Sequence, residues 1–350
     1  MSLLDRLAAQ IAQTGPLTVA QYMTACLHDP QDGYYATRPA LGEGGDFITA
    51  PLVSQMFGEL VGVWAISAWQ AMGAPSPFVL VEMGPGDGTL MGDVLRAAGR
   101  LSPAFLEAAD VWLVETSEPL AALQRERLGG AAHWARALDE VPGGSPMILI
   151  ANELLDCLPV RQFVRTATGW AEQVVGVGGD GTLQFGLVPA AAPLPDAREG
   201  VVCEISAQQE ALGAALGERL VRDGGAALLI DYGRDRPGFG DTLQALVRHE
   251  RVDPLACPGE ADLTVHADFP AVRAAAERMG AGSAILTQAA FLARLGVGER
   301  AEALMRARPD RSETIGRQLN RLVGGDQMGD LFKACCLYSP GWTPPAFEED

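Results

Sequence analysis

The sequence predicts an α/β fold built on a Rossmann-like, mostly parallel sheet, and three observations carry that expectation. Short apolar runs without polar alternation recur between stretches of helical periodicity, as strands buried on both faces of a parallel sheet require. The first such run ends in a glycine-rich turn, Glu82-Met83-Gly84-Pro85-Gly86-Asp87-Gly88-Thr89. The second ends in another acid, Glu115, 27 residues beyond Gly88. A doubly wound sheet takes its ligand outside the carboxyl ends of its strands, so both acids stand at the ligand edge.

Residues 1–75 precede that unit and predict a helical arm with a glycine-rich loop. Leu3 to Gln13 has helical periodicity, and Leu17 to Met23 follows Thr14-Gly15-Pro16, a helix-start signal. A loop from Gly33 to Pro51, carrying Asp46, leads into one long helix from Pro51 to Gln70 with an apolar stripe. The first half of the core, 76–157, reads as strand 78–83, helix 88–99, strand 111–115, helix 117–128, a short strand near His133-Trp134, and strand Met147–Ala151. Ser117 and Pro119 suit the start of the second of these helices. The alternation then breaks. Period-two runs around Gly178-Gly179-Asp180-Gly181 predict antiparallel hairpins, followed by a helix from Ser206 to Arg222, so 158–225 is expected to be a β-rich and helical insertion facing the substrate. The second half of the core, 226–350, opens with strand Ala226–Asp231. A stretch with few periodic segments (235–265) follows, then helices near 268–280, 288–295 and 298–321 and a last strand from Leu331 to Tyr338.

Composition narrows the function. The chain has 350 residues, 26 basic against 44 acidic side chains, and a net charge of −18. Too few cations are present to neutralise a phosphate backbone, so nucleic acid is not the expected partner. No run of 18 apolar residues predicts membrane insertion, and the first residues lack the marks of a signal or transit peptide, so a cytoplasmic protein is expected. Six scattered cysteines have no metal spacing, and the adjacent Cys335-Cys336 would face opposite sides of a strand. No feature sets an oligomeric state.

The chemistry starts at the glycines. They let the backbone turn sharply from strand to helix and let a ligand approach without meeting a Cβ. A dinucleotide loop would want glycine at position 89, where Thr stands, so a nicotinamide-dependent dehydrogenase is disfavoured. Glu-x-Gly-x-Gly-x-Gly resembles instead the S-adenosyl-L-methionine (SAM) loop of a methyltransferase. Gly84, Pro85, Gly86, Gly88 and Thr89 would then cradle the cofactor, with Glu82 near its amino or carboxylate end. Glu115, with Thr116 beside it, would accept the ribose hydroxyls. At the end of the fourth strand stands Asn152-Glu153-Leu154-Leu155-Asp156. Methyl transfer needs the acceptor held in line with the methyl carbon. A guanidinium acceptor also needs carboxylates to orient its planar fork and receive its proton. Glu153 is the candidate for that role, Asn152 an orienting amide reaching both cofactor and acceptor, and Asp156 a second acid. The alternative is a helix N-terminus using its acids against the dipole.

Gly33-Tyr34-Tyr35, Gly45-Asp46-Phe47-Ile48-Thr49-Ala50-Pro51, the Glu82–Leu90 loop, Asn152–Pro159, Asp231-Tyr232-Gly233, Asp262–Phe269 and Met328–Lys333 together resemble the MidA family, from about residue 15 to 338. The resemblance implies a class I SAM-dependent methyltransferase. It also implies a protein substrate, with mitochondrial members methylating an arginine of a core subunit of respiratory complex I and supporting its assembly. The bare N-terminus and Ala/Gly/Arg-rich composition resemble a bacterial member. The same resemblance adds the glycine loop around Asp46 and the Asp262–Phe269 segment to the active-site neighbourhood, with Asp46 and His266 among the expected catalytic residues. His266 with Asp268 could be an acid–base pair or a structural hydrogen bond, and no metal site is expected. Tyr34 and Tyr35 could wall an arginine pocket or pack the arm. A second reading is an assembly factor that holds SAM structurally without methylating.

Overall fold

The structure is a computed structural model and describes residues 1–37, 49–191, 193–248 and 250–348. Helix Leu3–Thr14 opens the chain, capped by reciprocal bonds between Ser2 and Asp5. Strand β1 (Leu17–Thr18) follows, and Thr18 caps helix Val19–His28 through a matching exchange with Gln21. The helix thus starts two residues later than the periodicity predicts, because the Thr18 hydroxyl accepts the Gln21 N–H (3.1 Å) and Leu17 pairs in a sheet. The long helix expected from Pro51 is two, Ala50–Val53 and Gln55–Ala71. Ser54 between them is extended (φ −162°), and its hydroxyl accepts the Met56 N–H.

The central sheet then builds in order from β2 (Phe78–Met83), β3 (Ala109–Val114), β4 (His133–Ala135) and β5 (Met147–Asn152), all parallel. The runs of β2 and β5 are buried almost without interruption, which is why they lack polar alternation. After β5 the chain leaves to form β6 (Arg161–Thr166), β7 (Gly169–Val177), β8 (Leu183–Pro189) and β9 (Val202–Ile205), an antiparallel sheet that β1 joins through β7. Helix Ala207–Asp223 returns it to β10 (Gly225–Arg234), parallel to β5.

The stretch 235–265 is more ordered than its sequence predicts. It holds a three-stranded antiparallel sheet of β11 (Gln244–Val247), β12 (Glu250–Val252) and β13 (Asp262–Thr264), strands of three or four residues that are too short to show a period. Strand β14 (Ala267–Asp268) pairs in parallel with the carboxyl end of β10. Strand β15 (Gly282–Thr287) was not expected at all, since every one of its residues is only half-buried and its sequence carries no strong apolar run. The helix expected over 298–321 is two, Val297–Ala307 and Ser312–Val323, broken at Pro309, which cannot continue a helical ladder. The last strand, β16 (Phe332–Tyr338), lies antiparallel between β10 and β15. The order is β15-β16-β10-β5-β2-β3-β4.

Connections leave β2 toward β3 on one side and reach β5 on the other, so a crevice opens at the carboxyl end of β2. Apolar clusters cover both sheet faces, and Cys336 faces one while Cys335 faces the other. A third cluster joins Leu7, Tyr22 and Leu27 of the arm to Val175 of the first excursion and Ala245 and Leu263 of the second. The arm's first two helices and both excursions therefore pack as one body beside the crevice, whereas Phe57, Leu60 and Trp64 of helix Gln55–Ala71 pack on the central sheet. Helix Ala207–Asp223 belongs instead to the central sheet, against which Leu216 and Leu220 pack. No described helix is long and apolar enough to cross a membrane.

Candidate active site

Strand β2 ends in a turn whose backbone favours glycine. Gly84, Gly86 and Gly88 have φ of +65°, +55° and +80°. A Cβ on Gly84 would stand 3.0 Å from Leu154. The loop is closed by Gly88 N–H on the Pro85 carbonyl (2.8 Å) and tied to the next strand by Gly84 N–H on Val114 (3.1 Å). Gly88 stands at the N-cap of helix Thr89–Leu101. Asp87 accepts the Thr89 N–H (2.9 Å) and pairs with Arg127 (3.1 Å), which also donates to the Thr89 hydroxyl.

Two carboxylates serve this loop. Glu82 is 2% exposed, one of its oxygens (Oε2) has no hydrogen-bond partner, and burial pushes its pKa up to about 8, with Asp87 and Glu115 adding repulsion. Glu115, at the tip of β3, accepts the Ser117 N–H (2.7 Å) and the Gln124 amide (3.1 Å), and burial raises its pKa as well. Thr116 is exposed and its carbonyl accepts from Arg136 (3.3 Å). Gln124 is fully buried. Its amide also donates to the Gly86 carbonyl (2.7 Å) and its oxygen accepts from Trp134 (2.9 Å), so one side chain locks the glycine loop to Glu115.

The candidate acceptor residues stand at the end of β5. Glu153 has φ +52°, a left-handed conformation that costs a non-glycine residue about 1 kcal/mol or more. Glu153 N–H bonds the Ile230 carbonyl (2.9 Å), which holds the turn. Its carboxylate accepts from Asn152 (3.0 Å) and from the Ala50 N–H (3.2 Å). Burial, then the charge of Asp156, pushes its pKa up to about 7. The Asn152 side-chain oxygen is buried without a partner. Asp156 is raised by burial too. Behind them Asp231, 1% exposed, accepts the N–H groups of Leu155 (2.8 Å) and Asp156 (3.2 Å), and so fixes the loop that carries both acids.

These groups line one cavity of about 400 Å³, which Tyr35, Thr49, Pro51 and Asp262 close from the side of the arm and second excursion. The structure thus brings together Glu82, Gly84, Pro85, Gly86, Thr89, Glu115, Thr116, Asn152, Glu153 and Asp156. Gly88 stands beneath them as the helix cap. His266 is not part of the lining. Its ring meets Tyr232 edge-on (5.6 Å) and its main-chain N–H donates to the Thr242 hydroxyl (2.9 Å). Its pKa is depressed by burial, then by Arg234, Lys333 and Arg251. Asp268 caps helix Phe269–Arg278 and pairs with Arg234 rather than with His266. Tyr35 reaches the cavity while Tyr34 is buried in the arm's core. Asp46 lies outside the described residues. Among those described, no group of three or more His, Cys, Asp or Glu could hold a metal. Sequence reasoning gave no role to Gln124 or to the carboxylate of Asp231. Their work is done by hydrogen bonds to distant backbone, which leave no local pattern.

The unpartnered oxygens of Glu82 and Asn152, the glycine turn that starts at Gly84 and the carboxylate at the tip of β3 suit a ligand carrying an ammonium group, a ribose and a sulfonium. A model of S-adenosyl-L-methionine-dependent methyltransferases matches residues 60–287. The mitochondrial protein arginine methyltransferase NDUFAF7 homolog of Drosophila melanogaster is 38% identical over 97% of this chain and 85% of its own length. Human mitochondrial NDUFAF7 is 36% identical over 96% of this chain and 83% of its own. A crystal structure of a protein from Burkholderia thailandensis bound to S-adenosyl-homocysteine superposes with a TM-score of 0.87 at 29% identity, covering 99% of this chain and 94% of that one. With relatives along nearly the whole sequence, this chain belongs to the family of S-adenosyl-L-methionine-dependent methyltransferases.

Proposed function

We propose that this methyltransferase modifies an arginine side chain of a protein, that the protein is a core subunit of respiratory complex I, and that the modification supports assembly of that complex. The observation that carries the arginine reading is Glu153: a carboxylate pre-oriented by two donors, on a strained backbone turn, beside Asp156 in a cavity shared with the cofactor residues. The names of the NDUFAF7 relatives agree with it. The complex I assignment rests on the MidA resemblance.

Bound SAM supplies an electrophilic methyl group on a sulfonium centre. In this reading Gly84, Pro85, Gly86, Gly88 and Thr89 admit it, Glu82 faces its amino-acid end, and Glu115 with Thr116 holds the ribose. Glu153 orients the acceptor guanidinium, Asn152 fixes Glu153, and Asp156 adds negative charge. A guanidinium must give up a proton when it is methylated. Glu153, with a pKa near 7, is tuned to take that proton at neutral pH and return it to water. Asp231 holds the loop in place. His266 would act only from behind Tyr232, as a positioning group. In this division 76–157 and the β10–β16 half form the catalytic core, while the arm and the two excursions present the substrate.

The test is transfer of labelled methyl groups from SAM to an extract of cells lacking this protein. One labelled protein with the methyl on arginine is expected, identified as a complex I subunit by mass spectrometry. Label on another residue type refutes the arginine reading, and label on an unrelated protein refutes the complex I assignment. SAM binding without any transfer would establish the alternative, an assembly factor that holds its cofactor structurally.

A further inference from the structure

Asp262 lies far from Glu153 in sequence, on β13 of the second excursion, yet it lines the same cavity. It is 6% exposed and accepts the Tyr35 hydroxyl at 2.9 Å. Tyr35 comes from the arm, 227 residues away, and borders the cavity too. Its main-chain carbonyl accepts the Ser117 hydroxyl (2.7 Å), and the Ser117 N–H bonds Glu115 (2.7 Å). A continuous hydrogen-bonded path therefore runs from the strand-tip acid Glu115, through Ser117 and Tyr35, to a carboxylate on the far wall.

A guanidinium carries five N–H donors in a rigid fork, and one carboxylate can satisfy only two of them. In a closed site the donors on the other edge need acceptors or their desolvation is uncompensated. Glu153 and Asp156 come from the β5 side, and Asp262 from the body that covers it. We propose that Asp262, aimed by Tyr35, is a further carboxylate of the acceptor site, contacting the guanidinium edge turned away from Glu153 and selecting arginine over lysine. The inference rests on the arginine reading above. A lysine ammonium is a compact point charge that does not span two opposed acceptors. Burial, then the charge of Asp262, holds the Tyr35 phenol protonated at every working pH, so it remains a donor to that carboxylate. Asp262 would touch substrate, and Tyr35 would be a positioning residue.

The probes are N-acetyl-arginine amide and N-acetyl-lysine amide, titrated by NMR into the full chain saturated with S-adenosyl-homocysteine. The wild-type protein should prefer the arginine probe. Asp262→Asn should weaken that probe by about 10-fold or more, the loss of a hydrogen bond to a charged group, and abolish the preference, while S-adenosyl-homocysteine affinity changes less than about 2-fold. Tyr35→Phe keeps the carboxylate but frees its orientation. It should weaken the arginine probe by roughly 3-fold and raise KM more than it lowers kcat. Should Asp262→Asn fail to fold, the Tyr35→Phe result decides. An Asp262→Asn protein that keeps the wild-type preference, or loses S-adenosyl-homocysteine in parallel, overturns the proposal. A wild-type protein without arginine preference overturns the underlying reading instead, so the two failures are distinguishable.

Discussion

Replacing Glu82 by Gln should change how stability depends on pH, and the size of the change follows from burial. Glu82 sits at the end of β2 with 2% exposure and a pKa raised from 4.5 to about 8. The folded protein holds a proton on this group between those values while the unfolded chain has released it. Its contribution to stability is therefore full below pH 4.5 and is lost as pH rises through 8. Within that window the slope is about 1.4 kcal/mol per pH unit, so the cofactor-free protein should lose roughly 2 kcal/mol from this group between pH 6 and 8. A glutamine has no proton to hold, so the difference in unfolding free energy between Glu82→Gln and wild type should move toward the mutant by that amount. Urea unfolding at pH 6, 7 and 8 measures it. Parallel pH dependence in the two proteins would refute the claim that Glu82 is neutral in the empty site.

Further outcomes follow from the same geometry. Glu115→Ala should weaken S-adenosyl-homocysteine by about 1–3 kcal/mol in calorimetric titration, since hydrogen bonds to a charged group are lost; unchanged affinity would remove Glu115 from the ribose site. Glu153→Gln should bind S-adenosyl-homocysteine normally yet transfer methyl groups at least about 100-fold more slowly, an effect within the range of general-base catalysis. The wild-type rate should rise with pH through about 7 as Glu153 ionises, and a rate flat from pH 6 to 8 would exclude that role. Gln124→Leu should cost about 1–3 kcal/mol in thermal or urea unfolding and weaken cofactor binding, because the Gly86 carbonyl and Glu115 lose a buried donor.

What the sequence revealed, it revealed through local chemistry. β2, β3, β5 and β10 each hold a short apolar run, and the glycines and strand-tip acids announce the ligand edge without any tertiary information. The features that escaped are those whose cause lies elsewhere in the chain. β15 is a strand because β16 pairs with it, not because Gly-Ser-Ala-Ile-Leu-Thr demands it. β11 to β13 are too short for a period. The left-handed turn at Glu153 breaks the conformational preference of its own residue, as functional positions often do. Asp231 and Gln124 look like ordinary polar residues until their backbone partners are known. The break at Pro309 was different, since Pro alone argues against one continuous helix there.

The position of β16 has a bearing on how this protein is made. Its strand comes last, at residues 332–338, yet it lies between β10 and β15. The stretch from β2 to β5 can pair as soon as it leaves the ribosome, whereas β10 presents a bare apolar edge until nearly the whole chain has been translated. During that interval the nascent protein exposes an unpaired strand of the kind that seeds wrong pairings. A chain stopped just short of Phe332 would keep every residue that lines the cavity and still be unable to shield its own core.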